Sequence, residues 1–207
     1  WLRKMSDFFA LSEYYSNQPL RNSGFLSLSH DQKISYTLKS LTELDIFSAH
    51  VFYLLNQIKT KNEPIFVFNY HQWFYYGRQE NDQFLSYDIV KKQQPLLLLL
   101  GDNHELNKEV RKIYNKENSQ SYIIEKKIFP STYYFNILGE FLVEWNVDQK
   151  IAKRLDSFFK KYKKFDDIAK HELMVILALK GKNKMVISKN IKKIKMLKKI
   201  FKKYFVF

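Results

Sequence analysis

The chain has 207 residues, a formal net charge of +14 and no cysteine. This length suits one domain, or one domain with an appendage, and a hydrophobic content of 45% can build a core, which excludes global disorder. The lack of cysteine excludes disulfides, thiolate metal sites and cysteine nucleophiles, and it favours an intracellular or organellar location.

The first third of the chain predicts a helix, a short strand, a long helix and a second strand. Residues 1–15 suggest a short helix without the charged start and apolar stretch of a signal segment. Ile34 and Tyr36 alternate as in a strand. From residue 38 to 59 apolar residues recur every three or four positions, which predicts an amphipathic helix. Pro64 then opens a run that is apolar on both faces, as a buried parallel strand would be.

A strand–helix–strand unit follows. Pro95 opens a second two-faced apolar run, Leu96–Leu100, which is too short to span a membrane. Periodic apolar residues predict a helix over 104–116, and residues 122–124 predict a third strand. This order is typical of a right-handed parallel crossover. The sequence therefore predicts an α/β fold with a doubly wound, mostly parallel sheet flanked by helices.

The residues from 148 onward are predicted to be helical. Amphipathic patterns predict helices over 148–165 and 166–179, and a third in the lysine-rich tail. We therefore divide the chain into an N-terminal helix and loop (1–24), an α/β domain (25–165) and a basic helical C-terminal extension (166–207).

The tail carries most of the charge. Residues 180–207 contain eleven lysines and no acidic residue, so they supply +11 of the net +14. A one-signed block of this density is typical of a segment that binds a polyanion, either nucleic acid or an anionic membrane surface. The candidate phosphate contacts are Lys180, Lys182, Lys184, Lys189, Lys192, Lys193, Lys195, Lys198, Lys199, Lys202 and Lys203.

Catalytic patterns are weak. Asp102 or Asn103, after Gly101, is expected to cap the following helix rather than to build a phosphate loop. Asp102 with Glu125 and the lysines after it imitates a metal nuclease pattern, but Asp102 precedes a helix. The five histidines show no metal-ligand spacing. We therefore expect a protein that is not an enzyme and that binds no cofactor, no metal and no small-molecule substrate.

An aromatic cluster at residues 73–76 has two interpretations. It would either stack on exposed bases, with Arg78 on a phosphate, or pack in a core or interface.

Taken in order, these elements resemble the ribosomal protein S2 family of the small ribosomal subunit. The resemblance covers roughly residues 25–165 and rests on element order, with a divergent, organellar member as the nearest description. The residues that carry it are Ile34, Leu38, Ala49, Ile65–Asn69, Trp73, Gly77, Asn81, Pro95, Asp102, His104, Glu105, Val110, Arg111, and 146–151. It implies a mitochondrial location and two kinds of partner, small-subunit rRNA and neighbouring ribosomal proteins.

The sequence therefore predicts a structural constituent of a small ribosomal subunit that binds rRNA by shape and phosphate contacts, with Arg78, Lys126 and Lys127 as further contacts. Two alternatives use the same tail. One is a peripheral membrane protein, with Phe201 and Phe205 dipping into the lipid. The other is a DNA-binding regulator with a helix–turn–helix about Gly181.

Overall fold

The structure is a computed structural model, and it describes residues 24–58, 63–77, 95–115, 119–124 and 126–206. The strands are β1 (Lys33–Leu38), β2 (Ile65–Asn69), β3 (Leu96–Leu100), β4 (Ser119–Ile123), β5 (Tyr133–Leu138), β6 (Phe141–Asn146) and β7 (Asn183–Ser188). The helices are α1 (Leu41–Ile58), α2 (Trp73–Gly77), α3 (Glu105–Tyr114), α4 (Gln149–Lys161), α5 (Asp167–Ala178) and α6 (Ile191–Phe201), and a 3-10 turn lies at Gly24–Ser27.

The strands form one sheet in the order β1-β7-β6-β5-β2-β3-β4. Only the β2–β3 and β3–β4 pairings are parallel, and the other four are antiparallel. The fold is therefore α/β, as predicted, but the sheet is not doubly wound and mostly parallel. The predicted strand–helix–strand unit is confirmed as β3, α3 and β4, and its two strands form the parallel part of the sheet together with β2.

The antiparallel part includes the hairpin of β5 and β6, which was not predicted from the sequence. Leu138 pairs with Phe141 across a two-residue turn, and Gly139 takes a φ of 58° there. Glycine adopts this left-handed conformation without steric cost, so the turn reverses the chain at once. A hairpin of this kind can only pair its strands antiparallel.

The lysine-rich tail is not an extension appended to the sheet. β7 lies between β1 and β6 and pairs with both along its length. Met185 and Ile187 point into the core and are completely buried. The prediction of a separate unit at 166–207 is therefore wrong for β7, whose alternating side chains were assigned to a helix. The predicted N-terminal unit lies outside the described residues, except for Gly24.

Both faces of the sheet are covered. Helices α1 to α5 pack with the first face in a large core cluster, to which Leu96, Leu98 and Leu100 belong. The second face carries Leu97 and Leu99. Among the described helices, α6 is the one that packs there. This arrangement explains why the predicted runs of β2 and β3, both confirmed, are apolar on both sides. In the part of the chain that the structure describes, every helix is too short or too polar to cross a bilayer.

We expect α6 to be required for folding, because Phe201 is completely buried and its ring lies 5.2 Å from that of Phe66. Replacing Phe201 by alanine should lower the free energy of unfolding by about 3–5 kcal/mol, since it removes a large buried ring. Urea denaturation measures the change. The control is Met196→Ala on the same helix, where the side chain is 51% exposed and the effect should be within about 0.5 kcal/mol. Equal effects at the two positions would contradict this packing.

Candidate nucleic-acid interface

The orientation of α6 follows from its apolar residues. Ile194, Leu197 and Phe201 face the sheet and are buried. The Asn190 side chain caps the helix by accepting the Lys193 N–H at 2.9 Å. Because this side of the helix is held against the sheet, the residues on the opposite side of α6 face solvent.

A row of lysines follows the solvent side of α6 and the turn after it. Lys192, Lys195, Lys199 and Lys203 recur every three or four residues, and all four are exposed. We call this row the lysine stripe. Within the described part of the chain, none of the four ammonium groups takes part in a hydrogen bond or an ion pair, whereas the exposed Lys202 has an interaction of its own. The stripe is therefore a line of positive charge available to an external anion.

Three other tail lysines are neutralised by acidic residues from distant segments. Their ammonium groups pair as Lys189–Glu140 at 3.7 Å, Lys193–Glu144 at 2.6 Å and Lys198–Glu63 at 3.0 Å. Their acidic partners could not be found from the tail alone, because the tail contains no acidic residue. These three lysines anchor α6 to the rest of the protein, so they are weaker candidates for phosphate contacts than the stripe.

The remaining tail lysines lie apart from α6. Lys180 and Lys182 precede β7, in a loop that is held by a hydrogen bond from the Gly181 N–H to the Lys39 carbonyl at 2.7 Å. Lys184 is exposed on β7. It points to the same side of the sheet as α6, because its neighbour Met185 packs in the first core cluster.

Two of the weaker predicted phosphate contacts, Lys126 and Lys127, lie at a different place from the lysine stripe. Lys126 and Lys127 are exposed just beyond β4, and the Lys127 ammonium lies 5.5 Å from the centre of the Tyr70 ring. They therefore belong to the carboxyl edge of the parallel strands. Arg78 and Glu125 lie outside the described residues, so neither the predicted phosphate contact nor the nuclease pattern can be placed.

The aromatic cluster at 73–76 belongs to the core. Trp73 is completely buried, and Tyr76 is 2% exposed. Phe74 stacks on Trp73 and lies at 5.9 Å from the Trp145 ring. Packing in the core is therefore confirmed for Trp73 and Tyr76, whose enclosed rings cannot receive a base, and the half-buried Phe74 and Tyr75 pack against the same core.

The carboxyl edge of the parallel strands holds a buried charge cluster that sequence analysis missed. His71 follows β2 and is 1% exposed. Its Nδ1 lies 2.5 Å from an oxygen of Asp102, which follows β3, and its Nε2 lies 2.7 Å from an oxygen of Asp156 on α4. The other oxygen of Asp156 accepts a hydrogen bond from Ser131. The one available signal was that His71 and Asp102 follow neighbouring parallel strands.

The two carboxylates favour the charged imidazolium. Burial lowers the pKa of His71, but the contacts with Asp102 and Asp156 outweigh it, and the pKa lies above its ordinary 6.5. Burial raises the pKa of Asp156, yet His71, with smaller contributions from Ser131 and Lys127, holds it below its ordinary range. Because the His71 ring is buried, has each nitrogen beside a carboxylate and stacks on Phe159 at 4.5 Å, it cannot touch a substrate in this arrangement.

Asp102 also organises the start of α3. It accepts the His104 N–H at 3.1 Å and the Asn107 side-chain amide at 2.8 Å. The helix cap itself is His104, which makes no capping hydrogen bond with its side chain. The prediction that Asp102 or Asn103 caps the helix is therefore wrong about the capping residue, although Asp102 does accept hydrogen bonds at the helix start. In the described ranges, no group of three or more acidic or histidine side chains is arranged to hold a metal.

Comparisons with known proteins locate no family. No protein-family model matches the chain, and no curated protein matches it. The solved structures that resemble it in part include the following two. One is TrmBL2, an archaeal chromatin protein whose structure shows a novel mode of DNA binding, with 12% identity and a TM-score of 0.41 over 99% of this chain. The other is NucT from Helicobacter pylori, with 8% identity and a TM-score of 0.44 over 83% of this chain.

The chain spans 64% of the length of TrmBL2 and 94% of that of NucT. Similarities at this level carry no argument about what this protein binds or does.

The His71 cluster predicts a loss of stability at alkaline pH. The stabilisation from charged His71 is complete below its unfolded pKa of about 6.5 and is lost as the pH rises through the higher folded pKa. The free energy of unfolding, measured with urea, should therefore fall as the pH rises above about 6.5. Asp156→Asn should reduce this dependence, because it removes one of the two charges that raise the pKa of His71. Asp167→Asn, an exposed carboxylate on α5, should leave it intact. A profile that is flat in the unmodified protein would contradict the assignment.

Proposed function

We propose that this protein is a non-catalytic RNA-binding component of a ribonucleoprotein particle. The observation that carries the proposal is the lysine stripe, four exposed ammonium groups in a row with no acidic partner among the described residues. Phosphate oxygens spaced along an RNA backbone are the complement of such a row, and release of their counterions supplies the binding free energy.

The geometry favours the RNA backbone over the bases. Lys192 and Lys199 are seven residues apart in α6, which corresponds to about 10 Å along the helix axis. Lysine ammonium groups act as point charges rather than as the planar forks that read base edges. Binding should therefore depend on the path of the backbone and on salt, and little on base sequence.

Neither alternative from the sequence is supported by the packing of α6. Phe201 and Phe205 are 0% and 6% exposed, so the rings assigned to membrane insertion face the sheet instead. The helix–turn–helix about Gly181 is wrong, because β7 separates α5 from α6 and lies inside the sheet between β1 and β6. Because α6 covers the core in this way, the four lysines of the stripe remain exposed to an external polyanion.

The absence of catalysis remains part of the proposal. The titratable cluster at the carboxyl edge encloses His71 between two carboxylates, and this arrangement is suited to holding β2, β3 and α4 together. A catalytic base needs a nitrogen within reach of substrate, which His71 does not present.

The particle that we propose is the small subunit of a mitochondrial ribosome, with rRNA and neighbouring ribosomal proteins as partners. This part rests on the sequence resemblance to the ribosomal protein S2 family. The antiparallel half of the sheet does not follow the parallel arrangement predicted from the sequence, so the lysine stripe supports RNA binding more directly than it supports the ribosome.

Removing the stripe should weaken RNA binding and its response to salt. Each lost phosphate contact lowers the slope of log affinity against log salt by about 0.7 to 0.9, so a variant with all four stripe lysines changed to glutamine should lose about 3 units of slope. Filter binding or fluorescence anisotropy across a salt series measures it.

The matched control changes four exposed lysines on α4, on α5 and in the loop between them to glutamine, which removes the same net charge from another surface. These residues are Lys153, Lys160, Lys164 and Lys170. If the control and the stripe variant lose the same slope, binding follows net charge alone and the stripe is not the interface.

The ribosomal assignment has its own test. In a sucrose gradient of an extract from the cells that make it, the native protein should sediment with the small ribosomal subunit at low salt. It should leave the particle at high salt, because phosphate contacts are screened. Sedimentation only at the top of the gradient at low salt would overturn the ribosomal assignment, while RNA binding by the stripe would be judged separately.

A further inference from the structure

The edge of the sheet at β4, the last of the described strands, carries a layered arrangement of two aromatic rings and a guanidinium group. β4 is the last strand in the sheet order, and its Tyr122 ring lies 4.9 Å from the ring of Tyr204, tilted by 44°. The Arg111 guanidinium lies 5.6 Å from the centre of the Tyr122 ring. Both tyrosines are half-buried, so part of each ring is open to solvent.

The three groups come from three different elements. Tyr122 points to the α6 side of the sheet, where both rings pack against the second core cluster. Arg111 belongs to α3, whose buried residues Leu106 and Val110 pack with the first cluster. Its side chain therefore reaches past β4 to the other face of the sheet. We call Tyr122, Tyr204 and Arg111 the edge platform.

The backbone beneath the platform is held firmly. The Ser121 hydroxyl donates to the Arg111 carbonyl at 2.9 Å, and the Asn115 side-chain oxygen accepts the Ser121 N–H at 2.6 Å. The Tyr204 N–H donates to the Phe201 carbonyl at 2.9 Å. These bonds fix the end of α3 and the turn after α6 relative to β4.

Positive charge surrounds the platform on both sides. Lys108, Arg111, Lys112 and Asn115 line a shallow depression on α3, where Lys108 is paired with Glu105 at 2.7 Å and the side chains of Arg111 and Lys112 are exposed. On the other side, Lys203 of the lysine stripe directly precedes Tyr204. A backbone that follows the stripe along α6 therefore arrives at the platform.

We infer that the edge platform binds an unpaired nucleotide of the RNA, with its base stacked on Tyr204 and Tyr122 and its phosphate on Arg111 and Lys112. This inference rests on the proposed RNA-binding function and deepens it, because it assigns a single-stranded segment as the ligand. A base inside a duplex has both faces covered by its neighbours, whereas an unpaired base can stack on an aromatic ring. The lysine stripe accepts either form of RNA.

The test compares a single-stranded RNA, an abasic version of the same strand and a duplex of equal length. Tyr204→Leu should weaken binding of the single strand roughly 5- to 100-fold, the range expected for loss of one stacked base. Binding of the duplex should not change. The unmodified protein should also prefer the single strand over its abasic version, and Tyr204→Leu should remove this preference.

Two further variants make the result independent of folding. Tyr204→Phe keeps the ring and should bind as the unmodified protein does. Arg111→Gln changes an exposed side chain and should weaken the single strand more than the duplex. Thermal unfolding of each variant reports whether the fold is intact. If Tyr204→Leu does not fold, Arg111→Gln and the abasic strand decide the question.

The outcomes separate the two levels of the proposal. If Tyr204→Leu folds and binds the single strand unchanged, or if the abasic strand binds as tightly as the complete strand, the edge platform is overturned. The lysine stripe would still stand if its glutamine variant lost affinity for both forms of RNA. If the unmodified protein binds no RNA at low salt, the proposed function is overturned, and the platform with it.

Discussion

The architecture depends on the need to bury both faces of the paired strands β2 and β3. Their side chains alternate between two core clusters, so a layer of helices is required on each side of the sheet. The second face is closed by α6, where Phe201 lies against Phe66. Because the apolar side of α6 is committed to this contact, its lysines have to face solvent. The charged surface is thus a direct consequence of core packing.

This packing also sorts the lysines into two groups. Lys189, Lys193 and Lys198 lie along the flanks of α6 or just before it and meet carboxylates from other segments, where they help to hold the helix in place. The lysine stripe lies farther from the sheet and meets no such partner among the described residues. Exposed charges of one sign repel each other and gain most from a polyanion. The proposed RNA interface is therefore the part of the tail that the fold itself leaves without a counter-charge.

The His71 cluster shows how a site that resembles catalytic machinery can serve the fold. His71, Asp102 and Asp156 join two parallel strands to α4 by charge contacts. Removing one member of a buried network leaves an uncompensated charge, which is strongly destabilising. No local pattern indicates the cluster, since Asp156 lies 85 residues after His71. The edge platform was missed for the same reason, because Arg111, Tyr122 and Tyr204 come from separate elements.

Local periodicity was sufficient to predict the helices α1, α3, α4 and α5 and the buried strands β2 and β3, and composition alone showed the concentration of positive charge at the end of the chain. The pairing of strands and of charges depends on how the chain folds back on itself. Residues 183–188 alternate over only six positions between lysines, so their pattern alone did not distinguish a strand from part of a helix. Their assignment as β7 depends on hydrogen bonds to β1, which lies far earlier in the chain. The glutamates that neutralise three of the tail lysines come from distant segments and leave no pattern in the tail sequence. They determine which lysines are neutralised and which remain exposed without a partner.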